Sequence, residues 1–382
     1  MVEIASEQRR HDEAVLAAWA QAIRDAAARG AQLAVRGGGS KAFYGEPLAA
    51  DVQPLETRAL HGIVRYEPTE LVVRVRAGTP LAELETLLAQ HGQELPFEPP
   101  HFGPGATVGG MVAAGLAGPA RMAVGGVRDY VLGVRLLNGR GEDLFFGGEV
   151  MKNVAGYDVS RLLAGSLGSL GVITEVALKV LPRPAGEATL RLPLTAEAAL
   201  QRLAQWRAQP LPLNASAWIP YGTEGGALWL RLRGAAAAVQ AACARLLAET
   251  GGEAIEPAQA AALWQGLREQ THTFFAHAPS AAHGLWRLAV PPATPWGPPG
   301  AAVLAEWFGT QRWLWAPLAD GATLAAWARQ AGGHATLFRA PAATPEAAPR
   351  LSAPEPALAA LQRRVVAAFD PYRVFAHRLR LA

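Results

Sequence analysis

The chain reads as an α+β protein of two domains. Three observations predict that class. Short β-rich runs alternate with amphipathic helical stretches, glycine clusters stand where strands leave for loops, and Pro182-Arg183-Pro184 breaks the pattern near the middle of 382 residues. The formal net charge is only +3, and Lys41, Lys152 and Lys179 are the only lysines. The basic residues are scattered singly, with no run and no interleaved aromatic stripe, which speaks against a nucleic-acid surface. Cys243 is the single cysteine, so an intrachain disulfide and a cysteine-rich metal or iron–sulfur site are excluded, and a reducing compartment fits best. The N-terminus is a charged amphipathic helix without the apolar core of a signal peptide. No run approaches the roughly 20 apolar residues of a membrane span. A cytoplasmic protein is expected, peripheral to a membrane at most through a partner.

The elements follow in order. Helical periodicity carries 15–28, and Gly30 ends it as a C-terminal cap. A strand over 32–35 then runs into Arg36-Gly37-Gly38-Gly39-Ser40-Lys41. Residues 71–78 alternate as a strand; Thr79 caps and Pro80 opens a helix over 81–91, which Gly92 closes. The small, apolar segment 107–117 predicts a short helix packed tightly on neighbouring backbone. Strands over 130–137 and 142–146 form a hairpin across Asn138-Gly139-Arg140-Gly141, where Asn-Gly supplies positive φ. A further strand covers 171–181. Beyond the proline break come a strand at 189–194, a helix at 196–209, paired strands at 215–221 and 227–233 across Gly225-Gly226, and an alanine-rich helix at 235–250 stopped by Gly251-Gly252. Strands at 285–290, 306–315 and 335–339, with a helix at 323–331 capped by Gly332-Gly333, complete an α+β sandwich. A Pro- and Ala-rich linker over 340–357 precedes a last helix at 357–369, and no internal repeat is visible.

A glycine loop leaving a strand can turn successive N–H groups toward one point, where an anion gains several charge-assisted hydrogen bonds. Gly38, Gly39, Ser40 and Lys41 suit that role; a tight turn needing positive φ is the structural alternative. The loop is not a Walker A sequence and lacks the G-x-G-x-x-G order of a Rossmann site. A second cluster, from Gly105 to Gly110, enters a helix at Thr107, so free N–H groups and the helix dipole are expected to face whatever precedes it. Gly109, Gly110 and Gly115 would equally permit close helix packing. With a third cluster over 165–171, these read as two backbone cradles for one extended phosphate-bearing cofactor, FAD. No His/Asp/Glu cluster has metal-ligand spacing.

The order RGGGS, PGATVGGMVAAG, GGVRDYVLGVRLLNGRG and MKNVAGYDVSRLLAGSLGSLGVITEVALKVLP resembles the FAD-binding domain of the vanillyl-alcohol oxidase and p-cresol methylhydroxylase (PCMH-type) superfamily. The resemblance spans about 30–184 and is strongest to the branch acting on 2-hydroxy acids. LWRLAVP, EWFG with Arg312-Trp313, and GGHATLFR extend it to the FAD-binding E-subunit family of glycolate oxidase (glycolate dehydrogenase). It implies a PCMH-type domain of two α+β subdomains over 1–184 and a smaller α+β sandwich, a cap or substrate-like domain, over 185–340. Residues 341–382 would be a linker and a helix returning to the FAD domain. It also implies oxidation of glycolate to glyoxylate with electron transfer through flavin, in a complex with a flavin-binding D-type subunit and an iron–sulfur F-type subunit. Such a protein would be cytoplasmic, or peripheral to the inner membrane through those partners.

Carried onto this sequence, the resemblance assigns Gly37, Gly38, Gly39, Ser40 and Lys41, with Arg36, to one side of the pyrophosphate, and Gly105, Thr107, Gly109 and Gly110 to the other. Gly115 would allow close approach of the flavin, Gly126 and Asp129 would shape the adjacent turn, and Gly171 and Ile173 would line the adenine end. Many relatives carry a flavin-bonded histidine where this chain has Gly39, so non-covalent FAD is expected. The family's C-terminal asparagine is replaced by Ala376.

Dehydrogenating a 2-hydroxy acid needs a base for the hydroxyl proton and a cation for the carboxylate. The Gly-Asp-Gly-Asn-x-x-His type of segment found in relatives that work alone is missing. His334 is the remaining candidate base, and Arg287, Arg312 and Arg339 the candidate cations; a strand-end histidine and arginines stacked on tryptophan are the structural alternatives. Two other readings stay open: a self-sufficient FAD-dependent 2-hydroxy-acid (D-lactate-like) dehydrogenase, and a flavin-less structural subunit.

Overall fold

A computed structural model describes residues 6–148, 158–221, 225–342, 344–345 and 348–381. The chain divides into two compact units, one of Met1–Leu116, Gly126–Arg183 and Ala353–Ala382, the other of Ala117–Gly125 and Pro184–Ser352. The α+β class holds in each unit.

In the first unit, helix α1 (Ser6–Arg29) takes in the charged N-terminal stretch as well as the 15–28 marked by apolar periodicity. Its first turns are polar and carry no apolar periodicity; they are held by Asp12, which is buried in an ion pair with Arg76. Gly30, at φ 62°, ends the helix as expected. Strand β1 (Leu33–Arg36) pairs in parallel with β2 (Gln53–Glu56). An antiparallel sheet in the order β3-β4-β8-β6-β7 is built from β3 (Ile63–Glu67), β4 (Val72–Arg76), β6 (Val131–Leu137), β7 (Asp143–Gly147) and β8 (Val172–Lys179). The short strands β5 (Gln93–Glu94) and β9 (Leu181–Pro182) form a separate pair. Trp19, Ile23 and Ala26 of α1 pack with Leu33, Leu137, Val172 and Phe375 to close one core.

Two local expectations change here. Thr79 does not cap α2 (Leu81–Gln90): Pro80 occupies the cap position, and the Thr79 hydroxyl accepts from Gly62 N at 2.9 Å. The hairpin turn takes its positive φ from Gly141, not Gly139. Asn138 Oδ1 organises that turn by accepting from Arg140 N and Glu142 N. Gly139 serves close approach instead, since a Cβ there would lie 2.2 Å from Asp370 Oδ1. Helix α3 (Val108–Ala114) is shorter than expected and ends at Gly115, at φ 62°.

The second unit begins with the four-residue helix α4 (Arg121–Val124). Its eight-stranded sheet has the order β13-β10-β12-β11-β15-β16-β14-β17. The strands are β10 (Gly186–Leu192), β11 (Leu213–Tyr221), β12 (Gly225–Gly234), β13 (Glu253–Ile255), β14 (His283–Ala289), β15 (Leu304–Glu306), β16 (Gln311–Pro317) and β17 (His334–Arg339). Helices α5 (Ala196–Arg207) and α6 (Ala236–Thr250) bury Leu203, Trp206 and Leu246 against Leu190, Leu228 and Leu230 of the sheet. Helix α7 (Pro257–Glu269) joins Trp264 Nε1 to Thr189 Oγ1 at 2.9 Å, and α8 (Thr273–Ala276) follows it. Helix α9 (Gly321–Gln330) covers β14 and β17 through Leu324 and Ala328. The expected strand over 306–315 is broken: Trp307, Phe308 and Gly309 all take positive φ, and Ser216 Oγ accepts from Phe308 N at 2.8 Å. Helix α10 (Pro356–Phe369) brings the chain back into the first unit.

Candidate functional site

Strand β1 delivers the loop Gly37 to Lys41 against the segment that precedes α3. The approach is too close for any side chain: a Cβ on Gly38 would lie 1.4 Å from Gly105 O, and one on Gly37 would lie 2.4 Å from Thr107 Oγ1. The two predicted cradles are therefore one wall. Beside it lies a cavity of about 370 Å³, within the range of small-molecule sites. Arg36, Gly37, Gly38, Gly39, Ser40 and Lys41 line it, together with Thr107, Gly109, Gly110, Gly171 and Ile173.

The two sides of the wall differ in chemistry. Thr107 caps α3 by accepting from Gly110 N at 3.2 Å, Gly109 N donates to Ala77 O at 2.7 Å, and Val108 N donates to Thr79 O at 3.0 Å. The expectation that free N–H groups of this helix face a ligand is thus corrected: protein oxygens take them, and Thr107, Gly109 and Gly110 contribute bare backbone surface. The loop is the opposite case. Among the described residues, no protein oxygen accepts from the backbone N–H groups of Gly38, Gly39 or Ser40. Unmet amide donors beside a cavity are the arrangement that receives an anion. Lys41 Nζ lies at the same loop, donating to His101 O at 3.1 Å.

Four other predicted residues lie elsewhere. Gly105 presses on Gly38 and does not line the cavity. Gly115 was expected to admit the flavin; its Cβ position is filled by Gly165 N at 2.8 Å, so it docks the 164–168 loop onto α3. Gly126 N donates to Asp129 Oδ2 at 2.8 Å, a local turn away from the cavity lining. Of the Lys-Asn-x-x-Gly-Tyr-Asp motif, Lys152 to Tyr157 lie outside the described residues; Asp158 accepts from Ser160 Oγ at 2.8 Å and pairs with Arg161.

Leu167 and Gly168 of the third glycine cluster also line the cavity, as does Arg378, which sequence reading missed. Arg378 arrives on an arm after α10. The buried Asp370 carboxylate accepts from Val374 N at 2.9 Å and Phe375 N at 2.8 Å, and the arm then pairs with β1 through Leu33 N to Val374 O and Ala376 N to Leu33 O. The sole sequence signal was the C-terminal motif itself.

The candidates for substrate chemistry all belong to the second unit. Arg312 is fully buried and donates to the carbonyls of Gly309, Pro295, Gly297 and Thr294, with Trp296 and Trp327 rings at 5.6 and 5.5 Å. Burial pushes its pKa down to about 10. Its donors are committed to backbone, so the expected carboxylate role is corrected to a structural clamp. Arg339 donates to Gln270 at 2.9 Å, and burial lowers its pKa. Arg287 lies over the Phe338 ring at 5.3 Å. His334 starts β17, its pKa lowered by the protein around it and by the Arg287 charge.

Residues 16–145 match a family of FAD binding domains. Over 330 residues, 86% of this chain and 87% of the relative, the sequence is 46% identical to glycolate oxidase subunit GlcE of Escherichia coli (strain K12). The chain belongs to the GlcE family. This GlcE-family chain is also 30% identical over 131 residues to glycolate oxidase subunit GlcD of Bacillus subtilis (strain 168), covering 34% of this chain and 28% of that one. It is 34% identical over 132 residues to the mitochondrial D-lactate dehydrogenase [cytochrome] of Arabidopsis thaliana, covering 34% and 23%. A solved alkyldihydroxyacetonephosphate synthase matches with a TM-score of 0.63 at 15% identity, over 94% of this chain and 75% of that one, which extends the shared fold through both units. The GlcE-family chain is thus a member of an FAD-dependent oxidoreductase family.

Proposed function

We propose that this chain is the FAD-binding E-type subunit of a complex that oxidises glycolate to glyoxylate, with a flavin-binding D-type and an iron–sulfur F-type subunit as partners. The observation that carries this reading is the 46% identity to a glycolate oxidase subunit across 86% of the chain. The unmet loop amides support it by fitting a diphosphate. In this reading Gly38, Gly39 and Ser40 donate N–H groups to the pyrophosphate of FAD, and Lys41 and Arg378 supply positive charge around it. Thr107, Gly109, Gly110, Gly171 and Ile173 shape the cavity, and Gly39 in place of histidine leaves the flavin non-covalent. When bound, FAD accepts two electrons from an alcohol carbon and passes them on.

In place of the expected boundaries at 184 and 340, Met1–Leu116, Gly126–Arg183 and Ala353–Ala382 act as the flavin-holding part, and Ala117–Gly125 with Pro184–Ser352 as a cap-like domain. Arg287, His334 and Arg339 remain assigned to contact with a small 2-hydroxy acid, whereas the commitment of Arg312 to backbone carbonyls removes one cation from a self-sufficient dehydrogenase. Among the described residues no helix is long and apolar enough to cross a membrane; a cytoplasmic chain, held at the inner membrane through its partners, is part of the proposal. The test is glycolate oxidation by co-expressed D-type and F-type subunits with and without this chain. Activity that needs this chain and its FAD supports the reading; full activity without it overturns it.

A further inference from the structure

Helix α10 carries more apolar surface than its own unit covers. At about 100° per residue, Leu358, Leu361, Val365 and Ala368 share one arc with Ala359, Val366 and Phe369. Ala359 is buried and the Phe369 ring meets Phe146 at 5.9 Å, whereas Leu358 and Leu361 are 49% and 52% exposed. The packed edge of the arc is thus satisfied, and the Leu358–Leu361 edge stands in water. The helix contains no acidic residue, and the exposed Arg363 and Arg364 stand beyond the arc.

An apolar edge with a cationic rim complements an apolar protein groove rimmed by carboxylates. A lipid surface fits less well, because the exposed edge holds no aromatic residue and Gly139 N, donating to Phe369 O at 2.9 Å, ties the helix end to its own unit. Resting on the reading of this chain as a complex subunit, we propose that the Leu358–Leu361 edge of α10 docks into such a groove on a partner subunit.

The test co-expresses the chain with the D-type and F-type subunits and compares wild type with the double variant Leu358→Asp/Leu361→Asp and with Arg364→Glu. Both variants are expected to retain FAD and their melting temperature, to associate about tenfold or more weakly, and for Arg364→Glu to lose part of the salt dependence. Wild-type assembly with both variants unaffected overturns the inference and leaves the proposed function standing. Failure of the wild type to assemble with either subunit overturns both. Wild-type binding to phosphatidylglycerol vesicles that the double variant loses, with assembly intact, assigns the edge to lipid and overturns the inference. If the double variant melts early, Arg364→Glu decides: unchanged assembly at every ionic strength refutes the docking edge.

Discussion

Gly110 can separate a ligand cradle from a packing glycine. Among the described residues, a Cβ at that position meets only Thr107 Oγ1, at 3.1 Å, and otherwise points into open space on the cavity wall. In Gly110→Ala a good helix former replaces a poor one, a gain of about 1 kcal/mol, partly offset by a shift of the Thr107 hydroxyl. The flavin-free protein should therefore be as stable as wild type or melt up to about 1 °C higher. The same methyl group crowds any molecule seated in the cavity. Overpacking a close contact costs about 1–3 kcal/mol, so FAD should bind about 5- to 150-fold more weakly. Thermal melting of the flavin-free protein and fluorescence titration with FAD read the two effects separately. Wild-type FAD affinity in Gly110→Ala would refute the assignment of this wall to the cofactor.

Gly38→Ala should behave differently, because its Cβ can reach ordinary contact with Gly105 O only if the two segments part by about 2 Å; melting temperature and FAD affinity should fall together in the same two assays. Arg312→Ala strands four carbonyls, three of them on buried residues, and should destabilise the protein by about 3 kcal/mol or more in denaturant titration, with FAD affinity unchanged; weakened FAD binding at wild-type stability would contradict the clamp. Asp370→Ala releases the amides of Val374 and Phe375 and should cost about 2–4 kcal/mol while weakening FAD binding through Arg378, an effect that Arg378→Ala should reproduce without the stability loss. Burial holds His272 and His377 below the usual histidine pKa. The unfolded chain then takes up protons that the folded chain refuses, so stability is full above about pH 6.5 and declines as pH falls below it. Melting scans from pH 7.5 to 5.5 should show that decline flattened in His272→Gln/His377→Gln, and an unchanged slope would contradict it.

The glycine loop was legible because its purpose is local: a strand, then residues whose backbone must stay bare. What holds the charged N-terminal turns of α1 was not, since it is a buried Asp12–Arg76 pair instead of an apolar stripe. Nor was the break at Trp307 and Phe308, two bulky residues whose left-handed backbone is supported by Ser216 and Gly309 and not by their own preferences. Gly115 was placed in the right neighbourhood but given the wrong neighbour, because a glycine signals close approach without naming what approaches. Arg378 was out of reach for any local pattern: its position depends on the arm pairing with Leu33, at the other end of the chain.

We hold that this chain itself binds a non-covalent FAD, and the visible absorption spectrum of the purified chain, taken before and after acid precipitation, reads that out. A yellow protein whose flavin passes entirely into the acid supernatant is the predicted result. A colourless protein that takes up no added FAD would contradict the claim, and flavin retained in the precipitate would contradict its non-covalent part.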